Sequence, residues 1–160
     1  MVEELYISDT TDKSKIYQEI IPQIEALIKG EKNWIANLAN TAAALKQTFN
    51  WFWVGFYLIE NNELVLAPFQ GPIACTRITF GKGVCGKAWM DEETIIVPDV
   101  ALFDGHIACN ANSKSEIVVP LFHNNKIIGV LDCDSEYINH FDTIDKLYLE
   151  KICTLLVNNT

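Results

Sequence analysis

Five cysteines stand in a chain of 160 residues: Cys75, Cys85, Cys109, Cys133 and Cys153. An odd count does not suit a disulfide-stapled secreted domain. In a reducing compartment, cysteines with a role are usually catalytic, metal-binding or redox-sensing. None belongs to a Cys-x-x-Cys pair, the spacing that structural zinc sites usually carry. His106 precedes Cys109 by three residues and supplies half a metal site at most, so no metal is expected. Cys75, Cys85 and Cys109 fall in or beside loops and at a helix start, where exposed thiols can react, and thiol redox chemistry is the expectation. Cys85 sits in the first turn of a short helix. The helix dipole would lower its pKa, so local physics makes it the first nucleophile. Cys133, in mid-strand, and Cys153, on the last helix, read as buried small hydrophobes.

Carboxylates form the second constellation. Strand alternation puts Asp132 and Asp134 on one face and Cys133 on the other. Such a pair in a pocket can bind an ammonium group or transfer a proton, and repulsion raises the pKa of one member. Asp132 follows the apolar run Ile127 to Leu131 and should lie near the core. Glu116 starts the partner strand. A two- or four-residue hairpin turn pairs it with Cys133 and points it away from the aspartates, whereas an odd-length loop or a bulge brings it to their face. Trp51, Trp53 and Tyr57 read as one strand face with a gap at Gly55. Core packing suits Trp51, and an aromatic wall over a small ligand is open to Trp53 and Tyr57.

These residues need elements to hold them. Ile16, Ile20, Ile24, Leu27 and Ile28 predict a helix over Asp12 to Lys29, with Pro22 either kinking it or marking its true start. A second helix is predicted from Asn33 to Phe49. Strands follow at Trp51 to Ile59, Leu64 to Phe69, Arg77 to Phe80 and Thr94 to Val97, with a short helix over Val84 to Asp91. Asp99 to Ser115 is a long segment of the kind that is often functional. Glu116 to Phe122 and Lys126 to Ser135 form a hairpin around Asn124 and Asn125. Asp142 caps a closing helix whose Leu147, Ile152, Leu155 and Leu156 should face inward. The order predicts one α+β domain, an antiparallel sheet with N- and C-terminal helices on one face and a pocket on the other.

Gly81-Lys82-Gly83-Val84-Cys85-Gly86 fits the Gly-x-Gly-x-x-Gly dinucleotide pattern, with Asp104 the nearest ribose-binding acid. No repeated strand-helix-strand unit surrounds it, so the glycines read as a tight turn that lets backbone approach a pocket. The net charge of -9 and pI of about 4.7 disfavour nucleic acid and anionic membranes. Arg77 is the single arginine, which argues against bidentate phosphate recognition. No apolar run approaches a membrane span, and the acidic N-terminus does not read as a signal peptide, so a cytoplasmic location is expected.

Five segments in order resemble the free methionine-R-sulfoxide reductases, which are single GAF domains. They are Gly71-Pro72-Ile73-Ala74-Cys75, Gly81 to Gly86, Gly105-His106-Ile107-Ala108-Cys109, Ser115-Glu116-Ile117-Val118-Val119-Pro120 and Gly129-Val130-Leu131-Asp132-Cys133-Asp134-Ser135. The resemblance covers nearly the whole chain, 1–160, and implies a reaction with free L-methionine (R)-S-oxide. Cys109 matches the nucleophile, overruling the local case for Cys85. Cys75 and Cys85 match the other two cysteines, with Cys75 favoured as the resolver. Thioredoxin and NADPH are implied as the external reductant, with no bound cofactor. Glu116, Asp132 and Asp134 match carboxylates that hold the amino group and relay the proton, and Trp53 and Tyr57 match the wall around the methyl end. Many members are homodimers, and nothing here locates an interface. The sequence departs at Asp104, where a proline is common, at Asn110, where an aspartate is common, and at Cys133, where an aliphatic residue is usual. The competing classes are a GAF ligand sensor and a thiol switch without a substrate. A sensor does not need three cysteines at these spacings, and a thiol switch would form a disulfide with peroxide but turn over no sulfoxide.

Overall fold

The computed structural model describes residues 4–107 and 109–159. Two helices lead, α1 (Lys13–Ile28) and α2 (Trp34–Phe49). Strands β1 (Trp53–Glu60), β2 (Glu63–Gln70) and β3 (Arg77–Thr79) follow, then α3 (Gly83–Asp91) and β4 (Ile95–Val97). A single 3-10 turn, Val100–Leu102, lies in the long segment before β5 (Ser115–His123) and β6 (Lys126–Ser135), and α4 (Thr143–Asn158) closes the chain. The strands form one six-stranded sheet in the order β3-β2-β1-β6-β5-β4, antiparallel at every pairing.

Sequence chemistry accounts for the ends of these elements. Asp12 caps α1 by accepting from the Lys15 amide, and α1 runs through Pro22. Asp142 and Asp145 make a reciprocal capping box at α4. Asp145 is buried there, accepts a 2.8 Å hydrogen bond from the Tyr17 hydroxyl and pairs with Lys13 at 2.6 Å, which ties α4 to α1. Asn61-Asn62 and Asn124-Asn125 all adopt positive φ, the backbone of tight hairpin turns whose twist matches the strands they join.

One face of the sheet carries α1, α2 and α4. Tyr17, Ile20 and Ile24 of α1, Leu38 and Leu45 of α2, and Ile152 and Leu156 of α4 close a dry core over Phe56, Ile117, Leu131 and Cys133. The buried side of α4 includes Tyr148, Leu149, Ile152 and Leu156. The expected Leu147 is 49 % exposed and Leu155 is only half-buried, because α4 presents its 148/149 stripe to the sheet. Trp51 packs in the core as expected, but not on the face that carries Trp53 and Tyr57. β1 begins at Trp53, so strand alternation does not reach back to Trp51, which packs with Phe49 and Phe141 on the helix side. Trp53 and Tyr57 lie in a separate cluster on the opposite face, which α3 covers with Val84, Cys85 and Ala88.

The hairpin register resolves the position of Glu116. The turn has two residues, with His123 opposite Lys126 and Phe122 opposite Ile127. The pairing then slips so that Leu121 faces Gly129, leaving Ile128 as an extra residue. Beyond that bulge Glu116 pairs with Asp134, and Cys133 faces Ile117. A second slip in β2 sets Ala67 and Pro68 against Phe56 between the Gly55–Phe69 and Tyr57–Leu66 pairs, a position where a missing N–H costs no ladder bond.

Candidate active site

Strands β1, β3, β5 and β6, helix α3 and the loops between them converge on a small cavity of about 50 Å³ on the α3 side of the sheet. β1 supplies Trp53 and Tyr57, β5 supplies Glu116, and β6 supplies Asp132 and Asp134. α3 supplies Cys85, and the segment before β5 supplies His106, Cys109 and Ser113.

The aromatic residues hold both the wall and a loop. A Cβ on Gly55 would lie 2.3 Å from the Phe69 Cβ and 2.6 Å from the Trp53 ring, so the predicted gap is filled by Trp53 stacked on Phe69. Trp53 also stacks on Tyr57 with ring centroids 6.0 Å apart. The Trp53 indole N–H donates to the Pro72 carbonyl and the Tyr57 hydroxyl donates to the Cys75 carbonyl, each at 3.0 Å. Both bonds run to the segment that bears Cys75. That cysteine is bonded to Cys109 in a disulfide with a Cα–Cα distance of 5.6 Å. Cys75 is half-buried and Cys109 is exposed.

Cys85 reverses one expectation. It lies in the first turn of α3, but it is buried, and its thiol pKa is pushed well up. Burial is the main cause, followed by the negative charges of Asp132 and Glu116, and together these override any help from the helix end. The glycines around it form the expected tight turn. Gly81 and Gly83 have positive φ, and a Cβ on Gly86 would meet the Thr79 carbonyl oxygen at 2.5 Å. Asp104 is exposed in the long loop, and although β3, α3 and β4 follow one another around the turn, β3 and β4 lie at opposite edges of the sheet and do not form a dinucleotide-binding unit.

The carboxylates are closely crowded. Glu116 and Asp132 are buried, at 6 % and 7 % exposure. Burial holds both pKa values well above the ordinary range, and the negative charge of Asp134 adds to this. Asp134 is pushed up to about 6 by burial, opposed by a hydrogen bond from the Ser113 hydroxyl and by His106. His106 Nε2 stands 3.5 Å from Glu116 Oε2. Among the described residues no lysine or arginine pairs with these three acids, and Asp132 Oδ1 is buried without a hydrogen-bond partner. The arrangement gathers three acids without a fixed lysine or arginine partner, with burial raising the pKa of each. Cys85, Glu116 and Asp132 also place possible metal-ligating atoms within 4.8 Å of one another.

The fold thus brings Trp53, Tyr57, Cys85, Cys109, Glu116, Asp132 and Asp134 to one cavity, with Cys75 joined at its rim. Sequence reasoning did not assign Ser113 or Phe69 to the site, and it weighed His106 only as a metal ligand. His106 carries a signal, since it lies three residues ahead of Cys109. Ser113 and Phe69 carry none.

The GAF domain family model matches residues 33–158. GAF domain-containing protein A of Dictyostelium discoideum is 62 % identical over 99 % of this chain and 100 % of its own length. The free methionine-R-sulfoxide reductase of Saccharomyces cerevisiae is 42 % identical over 93 % of this chain and 88 % of its own. The X-ray structure of free methionine-R-sulfoxide reductase from Neisseria meningitidis, in complex with its substrate, superposes with a TM-score of 0.96 at 54 % identity, covering 99 % of this chain and 95 % of that one. The fold is a single GAF domain, and this chain belongs to the free methionine-R-sulfoxide reductase family of GAF-domain proteins.

Proposed function

We propose that the protein reduces free L-methionine (R)-S-oxide to L-methionine, with Cys109 as nucleophile, Cys75 as resolving cysteine and a thioredoxin-type dithiol as reductant. The observation that carries this reading is the Cys75–Cys109 disulfide at the rim of a cavity floored by three crowded carboxylates. A substrate ammonium group supplies the positive charge that Glu116, Asp132 and Asp134 lack, and Trp53 and Tyr57 enclose the methyl end. Their raised pKa values suit these acids to donate a proton to the sulfoxide oxygen.

The Cys109 thiolate attacks the sulfoxide sulfur, the oxygen takes a proton, and methionine leaves as Cys109 becomes a sulfenic acid. The Cys75 thiol then attacks the Cys109 sulfur, water departs and the disulfide forms. Two thiols lose two electrons and the sulfoxide gains them. An external dithiol opens the disulfide by exchange and becomes oxidised itself. Cys85 enters none of these steps. Thioredoxin and NADPH are cytoplasmic reductants, consistent with the proposed location. No helix among the described residues is long and apolar enough to cross a membrane.

The test is NADPH oxidation in a thioredoxin-coupled assay, comparing the free R epimer, the free S epimer and a peptide-bound sulfoxide. Turnover of the free R form alone, lost in Cys109→Ser, is the expected result. No turnover of any sulfoxide by protein with reduced cysteines would leave the ligand-sensor or thiol-switch reading in its place.

A further inference from the structure

Cys85 is a buried nucleophile that the reaction above does not use. An ammonium group is satisfied by carboxylates alone, so its recognition gives no reason for a thiol in the floor of the cavity. The thiol sits where α3 meets the sheet, against Glu116 of β5 and Asp132 of β6, and the potential donor atoms of the three lie within 4.8 Å of one another. All three residues are buried, and Asp132 is more than nine-tenths so. Its Oδ1 is buried without a hydrogen-bond partner, while the carboxyl group is hydrogen-bonded with Cys85 and Glu116. Two carboxylates, one with an unused oxygen, and one sulfur make a mixed hard and soft ligand set.

We propose that Cys85, Glu116 and Asp132 form an exchangeable site for a thiophilic divalent cation of the zinc type, which occupies the position of the substrate's ammonium group. That last clause rests on the function proposed above; the binding of the cation does not. Zinc accepts sulfur at about 2.3 Å and carboxylate oxygen at about 2.0–2.2 Å in a tetrahedron, so these donors need to close by only about 1 Å. Ligation takes the proton from the thiol and cancels most of the charge that the buried acids repel one another with. Three protein ligands leave a fourth position for water, and the cavity of about 50 Å³ has room for it. Magnesium and calcium are excluded because they want six or more oxygen ligands and no sulfur. A sequence search misses the site because the ligands come from one helix and two strands rather than from a close cysteine pair.

The oxidised protein tests this without interference, because the Cys75–Cys109 disulfide leaves Cys85 as the only thiol at the cavity. Cobalt(II) is titrated in as the visible stand-in for zinc. The expected result is a thiolate-to-cobalt charge-transfer band that zinc abolishes and excess magnesium leaves intact. The band should vanish in Cys85→Ser, and affinity should fall about tenfold or more in Glu116→Gln. It should persist in Cys133→Ala, which alters a thiol on the opposite face. No band in the wild-type protein, or a band that survives in Cys85→Ser, overturns the proposal. If Cys85→Ser does not fold, Glu116→Gln decides alone, since an unchanged affinity there also overturns the site. Free methionine R-sulfoxide should then release the cobalt and the S epimer, an equal chelator in solution, should not. A Cys85-dependent band that neither epimer displaces leaves the metal site standing and removes the shared position. Turnover of the R form by a protein with no cobalt band does the reverse.

Discussion

The two faces of the sheet are built from the same strands and carry opposite chemistry. Along β6, Leu131 and Cys133 enter the helix-side core while Asp132 and Asp134 face the cavity, and along β5 Ile117 and Glu116 divide in the same way. Both faces hold a buried cysteine whose thiol pKa is raised mainly by burial, Cys133 on one side and Cys85 on the other. Burial therefore does not distinguish a working face from a structural one. The difference lies in the neighbours. Cys133 sits in a cluster closed by Leu, Ile, Tyr and Phe side chains, whereas Cys85 sits with acids that have no fixed lysine or arginine partner among the described residues. One face supplies stability, and the other gathers buried acids whose charged forms burial disfavours.

The comparison can be broken most sharply at the cavity rim. Cys109→Ser should reduce sulfoxide turnover below detection in the coupled assay while the melting temperature of the reduced protein changes little; retained turnover would remove Cys109 from the chemistry. The next effect is in the cavity itself. Asp134→Asn should lower kcat/KM about 10²-fold or more in steady-state assays, and it should also change how stability depends on pH.

The sign of that dependence follows from the direction of the shift. Asp134 titrates at about 6 in the folded protein against an ordinary 3.8, so the folded state holds a proton that the unfolded state has released. Stability from this group is present below about pH 4 and is lost as the pH rises to about 6. Thermal melts of the substrate-free protein should show this fall. The Asn variant should lack this contribution and melt a few degrees higher at neutral pH. A steeper fall in the variant would contradict the assignment.

On the helix face the expected effects are smaller for activity and larger for stability. Leu38→Ala removes a fully buried side chain and should cost about 2–5 kcal/mol in chemical denaturation, with KM unchanged. A change in KM without loss of stability would show that the two faces are coupled. Cys133→Ala is the mildest test. It should leave turnover nearly intact and cost about 1 kcal/mol, and a large loss of turnover would mean that a helix-side residue serves the cavity.

Much of this division was legible in sequence. Period-two alternation placed Asp132 and Asp134 together and Cys133 apart, and the apolar run before Asp132 located it near the core. Helical periodicity found α1, α2 and α4. The errors came where a local pattern met a tertiary constraint. Alternation carried past the strand's true start puts Trp51 on the strand face, although its core packing holds. Cys85 was given a low pKa because a helix end can be read from sequence, while two acids approaching from other strands cannot. Glu116 stayed undecided because two register alternatives were equally compatible with the residues. The Cys75–Cys109 pairing was implied by family resemblance, and no residue pattern in the loops specifies it.

The bulge at Ile128 absorbs one residue of counting. A two-residue turn followed by an unbroken ladder would set Glu116 opposite Cys133, on the helix face; with Ile128 left out of the pairing, Glu116 stands opposite Asp134 on the cavity face. Deleting Ile128 should therefore leave a regular ladder with the Glu116–Asp134 pairing intact. Drawing Ile128 into the ladder by a slip of one residue would instead bring Ile117 to the cavity in place of Glu116. A single unpaired residue far from the chemistry thus acts as a selector between a working enzyme and an inert relative of identical composition.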